Sequence, residues 1–101
     1  MALAGQGISR NNDLESGHDC WFPVPIIAVP AGKPVLVNKI QAALAGNITT
    51  VHVCGKKPPH PDKAIKGSKK VWINKKMTMR IGDPLTGGAV MASGSHSVLA
   101  L

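Results

Sequence analysis

Tyrosine is absent from this chain of 101 residues, phenylalanine occurs once and tryptophan twice, so any core must be assembled from Val, Ile, Leu, Ala and Met. A core of that kind is thin, and at this length only one domain is expected. Acidic residues are scarce as well, five against twelve Lys and Arg, and they stand singly rather than in pairs. No Ser-His-Asp or Cys-His-Asn order, HExxH motif or Gly-rich phosphate loop is present, which leaves no catalytic constellation to build on. Cys54 lies near His52 without a third group to orient a base, so a thiol enzyme is not expected either. No apolar run approaches the roughly 18 residues of a membrane span. The N-terminal MALAGQGISRNND lacks the basic-then-apolar pattern of a secretory leader. The expectation is a soluble protein, cytoplasmic when made. In that compartment two cysteines read as thiols or metal ligands rather than as a disulfide.

What is abundant is turn chemistry and positive charge. Eleven Gly and eight Pro leave little room for helices and favour short strands joined by many turns. The formal charge of +7 can attract nucleic acid, anionic lipid or an acidic protein surface. The cations are mostly Lys, in pairs such as Lys56-Lys57, Lys69-Lys70 and Lys75-Lys76, and they lack the interleaved aromatics on which single-stranded nucleic acid stacks. They read first as a solvated basic face. A free-standing basic zinc module that binds nucleic acid is the alternative.

The chain repeats itself. Residues 31–47 (AGKPVLVNKIQAALAGN) align without a gap on residues 67–83 (GSKKVWINKKMTMRIGD), with Lys33/Lys69, Val35/Val71, Asn38/Asn74, Lys39/Lys75 and Gly46/Gly82 in register. Residues 94–101 (GSHSVLAL) begin a third copy, and the segment 8–13, with Arg10–Asp13 (RNND), supplies its tail. The two chain ends are therefore expected to pair and close a ring of three units. Each copy alternates apolar and polar residues, reaches Asn-Lys and continues, which predicts a hairpin. Asn tolerates the left-handed backbone that such a turn needs. The expected fold is all-β, a small three-faceted unit of pseudo-three-fold hairpins in one domain.

The same register explains a second pattern. Counted from Asp13, Asn47 and Asp83, the motifs His18-X-Cys20 and His52-X-Cys54 fall at one position of successive copies, and the third copy carries Gly88 and Val90 there. Equivalent positions of a closed three-fold arrangement converge on its axis, so His18 and His52 should meet. With Cys54 and His60 they supply four N or S ligands, enough for a tetrahedral zinc site that would steady a small core. Cys20 is an alternative ligand, and a site of His18, Cys20, His52 and Cys54 is chemically as acceptable. Iron accepts the same mixed ligands. His96 aligns with Lys69 and is left out.

At GSKKVWINKKMTMRIGDPLTGGAVMASGS (Gly67–Ser95) the chain resembles the PAAR-repeat family, whose segment runs Gly-Ser-x-x-Val-x-Ile-Asn-Gly-Lys-x-x-x-Arg-x-Gly-Asp. SGHDCWFPVPII (Ser16–Ile27) and HVCGKKPPHP (His52–Pro61) resemble that family's ligand-bearing stretches. The resemblance implies a conical β-fold with a zinc near its vertex, held by three His and one Cys, here His18, His52, Cys54 and His60. It implies a non-enzymatic tip that caps a trimeric β-helical spike protein (VgrG-like or of a contractile phage tail), one monomer per trimer. Such a tip sharpens the spike for membrane puncturing in type VI secretion systems and phages, with effector cargo carried separately. The docking edges would be Val35, Val37, Val71, Ile73, Val98, Leu99 and Leu101, extending the spike's sheets by strand addition. The sequence departs from the family where Asn-Lys replaces Asn-Gly at the turns and where Gln41–Leu44 and Met77–Arg80 replace Pro-Ala-Ala-Arg.

Overall fold

Asn38-Lys39 and Asn74-Lys75 each place both residues at positive φ, 54° and 67° in the first pair, 51° and 66° in the second. This is the requirement of a two-residue type I′ turn, whose twist matches that of the strands it joins. Each turn accordingly closes a hairpin in the computed structural model of the chain, which describes residues 5–55 and 57–101. The strands are short: β1 (Gln6–Gly7), β2 (Ile26–Ile27), β3 (Leu36–Val37), β4 (Ile40–Gln41), β5 (Ile48–Thr49), β6 (His52–Cys54), β7 (Lys57–His60), β8 (Trp72–Ile73), β9 (Lys76–Met77) and β10 (Leu99–Ala100). They form five antiparallel pairs, and the one helical element among the described residues is a single 3₁₀ turn at Thr86–Gly88. The protein is all-β.

Hairpins β3–β4 and β8–β9 share one register, Val37 opposite Ile40 and Ile73 opposite Lys76. The corresponding third pair joins the two ends of the chain: β1 lies against β10 with Gln6 opposite Ala100 and Gly7 opposite Leu99. A closed backbone ring ties the three together. The Ser9 amide donates to the Met79 carbonyl at 2.9 Å, Met79 to Ala43 at 2.9 Å, and Ala43 back to Ser9 at 2.9 Å. One layer away, Asn11 donates to Gln41, Ala45 to Met77 and Ile81 to Gly7. Each unit then turns in the same way. Asp13 Oδ2, Asn47 Oδ1 and Asp83 Oδ2 accept from the amides of Arg10, Leu44 and Arg80 at 2.7 to 2.8 Å. The residue before each acceptor (Asn12, Gly46, Gly82) sits at positive φ, the conformation Gly and Asn tolerate best.

The interior is built from the small aliphatic residues that remain when aromatics are scarce. Ser9, Ala43 and Met79 are fully buried at the ring. Around them Ile26, Ala64, Leu85, Ala89 and Met91 form one apolar cluster, and Ile8, Val37, Ala42 and Ala100 form a second with Val71 and Ile73 packed against it. The residues expected at the docking edge divide between the two faces of their strands. Val37 is buried, and Val71 and Ile73 lean on the core, because alternate residues of a strand face opposite sides. The three-fold-equivalent neighbours Leu36, Trp72 and Leu99 are the ones left exposed, along with Val35, Val98 and Leu101.

Candidate metal centre

Strand β6 carries His52 inward, with Cys54 two residues on, and β7 returns His60 opposite His52. The loop from Gly17 to Trp21 brings in His18. That loop is fixed from below by Glu15, whose Oε1 accepts from the amides of Gly17 and Val24, both at 2.9 Å. It is pinched by His18 and Trp21, which exchange backbone hydrogen bonds of 3.2 and 2.9 Å. Gly17 is required there: its φ is +74°, and a Cβ would lie 2.7 Å from the Trp21 carbonyl oxygen.

The three imidazoles meet. Ring centroids are 4.9 Å apart for His18 and His52, 4.6 Å for His52 and His60, and 5.2 Å for His18 and His60, with the Trp21 indole against all three. The fourth member is Asp62. Its Oδ2 lies 3.3 Å from Nε2 of both His18 and His52, and its Oδ1 lies 3.2 Å from His60 Nδ1. One ligand atom from each of the four residues lies within 4.8 Å of every other. Ligands about 2.0–2.1 Å from a tetrahedral zinc stand about 3.3 Å from each other, so the cluster closes on a cation by contracting from separations of up to 4.8 Å.

The surroundings support that use. His52 Nδ1 is 3.0 Å from the Phe22 carbonyl oxygen, to which it donates in the Nδ1–H tautomer, leaving the Nε2 lone pair facing Asp62. His18 Nε2, His52 Nε2 and both Asp62 oxygens are buried without a hydrogen-bond partner. Four orphaned groups at one point would each carry a desolvation cost, and a cation bound between them removes it. The His/Asp cluster can therefore hold a metal ion. Asp62 is held in turn by Thr49, whose Oγ1 accepts from the Asp62 amide at 2.9 Å while its own amide donates to the Asp62 carbonyl at 2.9 Å. Burial pushes the Glu15 carboxyl above its ordinary pKa, a shift opposed by its two backbone donors and by His52 nearby.

The cysteines depart from expectation. Cys54, expected as the sulfur ligand, and Cys20, its alternative, are joined in a disulfide with Cα atoms 5.4 Å apart. A sulfur in a disulfide is no thiolate, and only the thiolate ligates well. The bond instead staples the His18 loop to β6. Its two ends hold equivalent repeat positions, and the convergence that unites His18 with His52 unites the cysteines too. His96 is exposed, outside the cluster.

Asp62 is the member of this cluster that is not expected from the sequence. In the backbone pattern it takes the place of Val24 and Ala89: the amides of Glu15, Thr49 and Leu85 donate to the carbonyls of Val24, Asp62 and Ala89. No other copy has an acid there, so the repeat gave no signal. Its nearness to His60 in the sequence could have. The third copy contributes space, since a Cβ on Gly87, at φ +80°, would lie 2.8 Å from His18 Nε2. Searches with family models and among curated proteins find no match for this chain.

Proposed function

We propose that the chain is a structural, non-enzymatic tip that caps a trimeric β-helical spike and sharpens it for membrane puncturing. The observation that carries the reading is the closed ring of Ser9, Ala43 and Met79. It makes a single chain three-fold in its backbone, so one monomer can meet three identical partner chains. The exposed Val35, Leu36, Trp72, Val98, Leu99 and Leu101 supply apolar contact to such a partner. Strand addition at the two-stranded sheets β1–β10, β3–β4 and β8–β9 would extend the partner's sheets.

The metal in this reading is zinc, which suits imidazole and carboxylate ligands in four-fold closed geometry. Its work is mechanical. It joins the His18 loop to the β6–β7 hairpin so that the vertex resists splaying under load, and with all four positions filled by protein no water is activated. Iron is the other metal such ligands accept. The resemblance to PAAR repeats supports both the tip role and the assembly, on a phage tail or a secretion spike, after synthesis in the cytoplasm.

The test is to mix the purified chain with a recombinant trimeric β-helix spike protein and weigh the complex by native mass spectrometry. One chain per trimer supports the cap. A chain that ignores the trimer but binds DNA with a steep salt dependence would establish the nucleic-acid reading instead.

A further inference from the structure

The three facets share a backbone, and the facet at the β8–β9 hairpin carries a lysine-rimmed apolar groove. Its volume is about 460 Å³, and its walls include Ile65, Trp72 and Met77, with Lys63, Lys75 and Lys76 at the rim. Past Lys76 it continues into a second depression of about 370 Å³ lined by Val29, Leu44 and Ile48. The floor shared by the two, Ala45 and Gly46, is open, since a Cβ on Gly46 would meet nothing within 4 Å. The Trp72 wall is pre-set, its Nε1–H already donating to the Lys69 carbonyl at 3.1 Å, so the indole offers a face rather than a donor. Ile65 and Trp72 are more than half exposed.

At the repeat-equivalent positions of the neighbouring facet, Lys63 is replaced by Pro25, Lys76 by Ile40 and Trp72 by Leu36, and only Lys39 repeats a charge. Nothing in the ring requires that difference, and a three-fold partner would not select it. The charge has no internal outlet either. Asp13 and Asp83 are paired with Arg10 and Arg80, Glu15 and Asp62 are buried at the candidate metal centre, Asp19 is exposed in the His18 loop, and no lysine makes an ion pair among the described residues. Three unpaired ammonium groups around an apolar trough complement a ligand that is acidic and apolar together.

We propose that this groove binds an extended acidic polypeptide segment with an apolar anchor residue, from a partner that is not three-fold symmetric. The anchor would lie against Trp72 and Met77, and flanking carboxylates would meet Lys63 and Lys76. Trp72 is also one of the exposed side chains offered to the spike, so the two partners would compete there; the groove is assigned on the isolated chain, from side chains that the neighbouring facet does not repeat.

The experiment measures fluorescence anisotropy of a labelled peptide of Glu and Asp with one central Leu, against the isolated protein. The same-length Lys peptide and oligothymidylate are the comparison probes. Lys63→Glu/Lys76→Glu and Trp72→Ala change exposed side chains, and circular dichroism and metal content confirm that each variant folds. The expected result is binding of the acidic peptide that weakens with salt and falls about tenfold in each variant. The Lys peptide should not bind. Absence of acidic-peptide binding, binding that survives both variants, or tighter binding of oligothymidylate than of the peptide would each overturn the proposal.

Discussion

The backbone ring and the candidate metal centre obey opposite rules within one chain. At the ring the three copies do the same thing with near-interchangeable residues: Ser9, Ala43 and Met79 exchange main-chain hydrogen bonds, and Asp13, Asn47 and Asp83 close the same turn. At the candidate metal centre the copies share only a path. One supplies His18, one supplies His52, His60 and Asp62, and the third supplies Gly87, whose missing side chain leaves room for His18. Backbone hydrogen bonding can be repeated because it is nearly indifferent to side chains. Four protein ligands cannot be drawn equally from three copies, and the copies diverge there. The lesson is that symmetry carries the fold and asymmetry carries the chemistry.

Breaking the ring should have the largest effect. Ala43→Pro removes one of the three ring donors in a fully buried site, and a loss of about 3 kcal/mol or more is expected in urea unfolding. If the loss stays below about 1 kcal/mol, the ring is not what closes the chain.

Opening the disulfide comes next. Cys20→Ser/Cys54→Ser releases a loop of 34 residues, worth about 3–4 kcal/mol in the chain-entropy model, while leaving the His/Asp ligands in place. The expected outcome is a lower unfolding midpoint under oxidising conditions with metal content unchanged.

The metal centre itself can be sharpened without touching a ligand. Gly87→Ala puts a methyl group against His18 at a positive-φ position, so metal affinity should drop about tenfold or more in a chelator competition. Glu15 offers a comparison of two substitutions. Glu15→Ala strands the Gly17 and Val24 amides, which costs about 1–3 kcal/mol. In the metal-free protein, Glu15→Gln keeps an acceptor and should match or exceed the wild type at neutral pH. Burial raises the folded-state pKa of Glu15, so its contribution is present below the unfolded carboxylate range and is lost as pH rises through the folded value. The Gln advantage should therefore vanish in acid.

The smallest effect is at the turns. Lys39 and Lys75 hold positive φ that Gly adopts without strain, and Lys39→Gly or Lys75→Gly should stabilise by about 0.5–1 kcal/mol in the same urea series.

The sequence announced the fold through its repeats, since Asn-Lys turns, alternating apolar residues and matched ends are local signals that survive without coordinates. The meeting of three histidines was partly legible for the same reason: His18 and His52 share a repeat position. Three features were not. Asp62 has Val24 and Ala89 for equivalents, and no periodic reading singles out a residue whose copies are apolar. The inward face of Val37 depends on a strand parity that a two-residue strand barely expresses. Whether two converging cysteines hold a metal or each other depends on distances that spacing does not encode.

The most direct test of the metal centre is elemental mass spectrometry on the oxidised protein, comparing wild type, Asp62→Ala and the Cys20→Ser/Cys54→Ser variant. One zinc per chain in the wild type and in the cysteine variant, and loss in Asp62→Ala, is the predicted result. Zinc retained in Asp62→Ala and lost with the cysteines would contradict it and return the fourth ligand to sulfur.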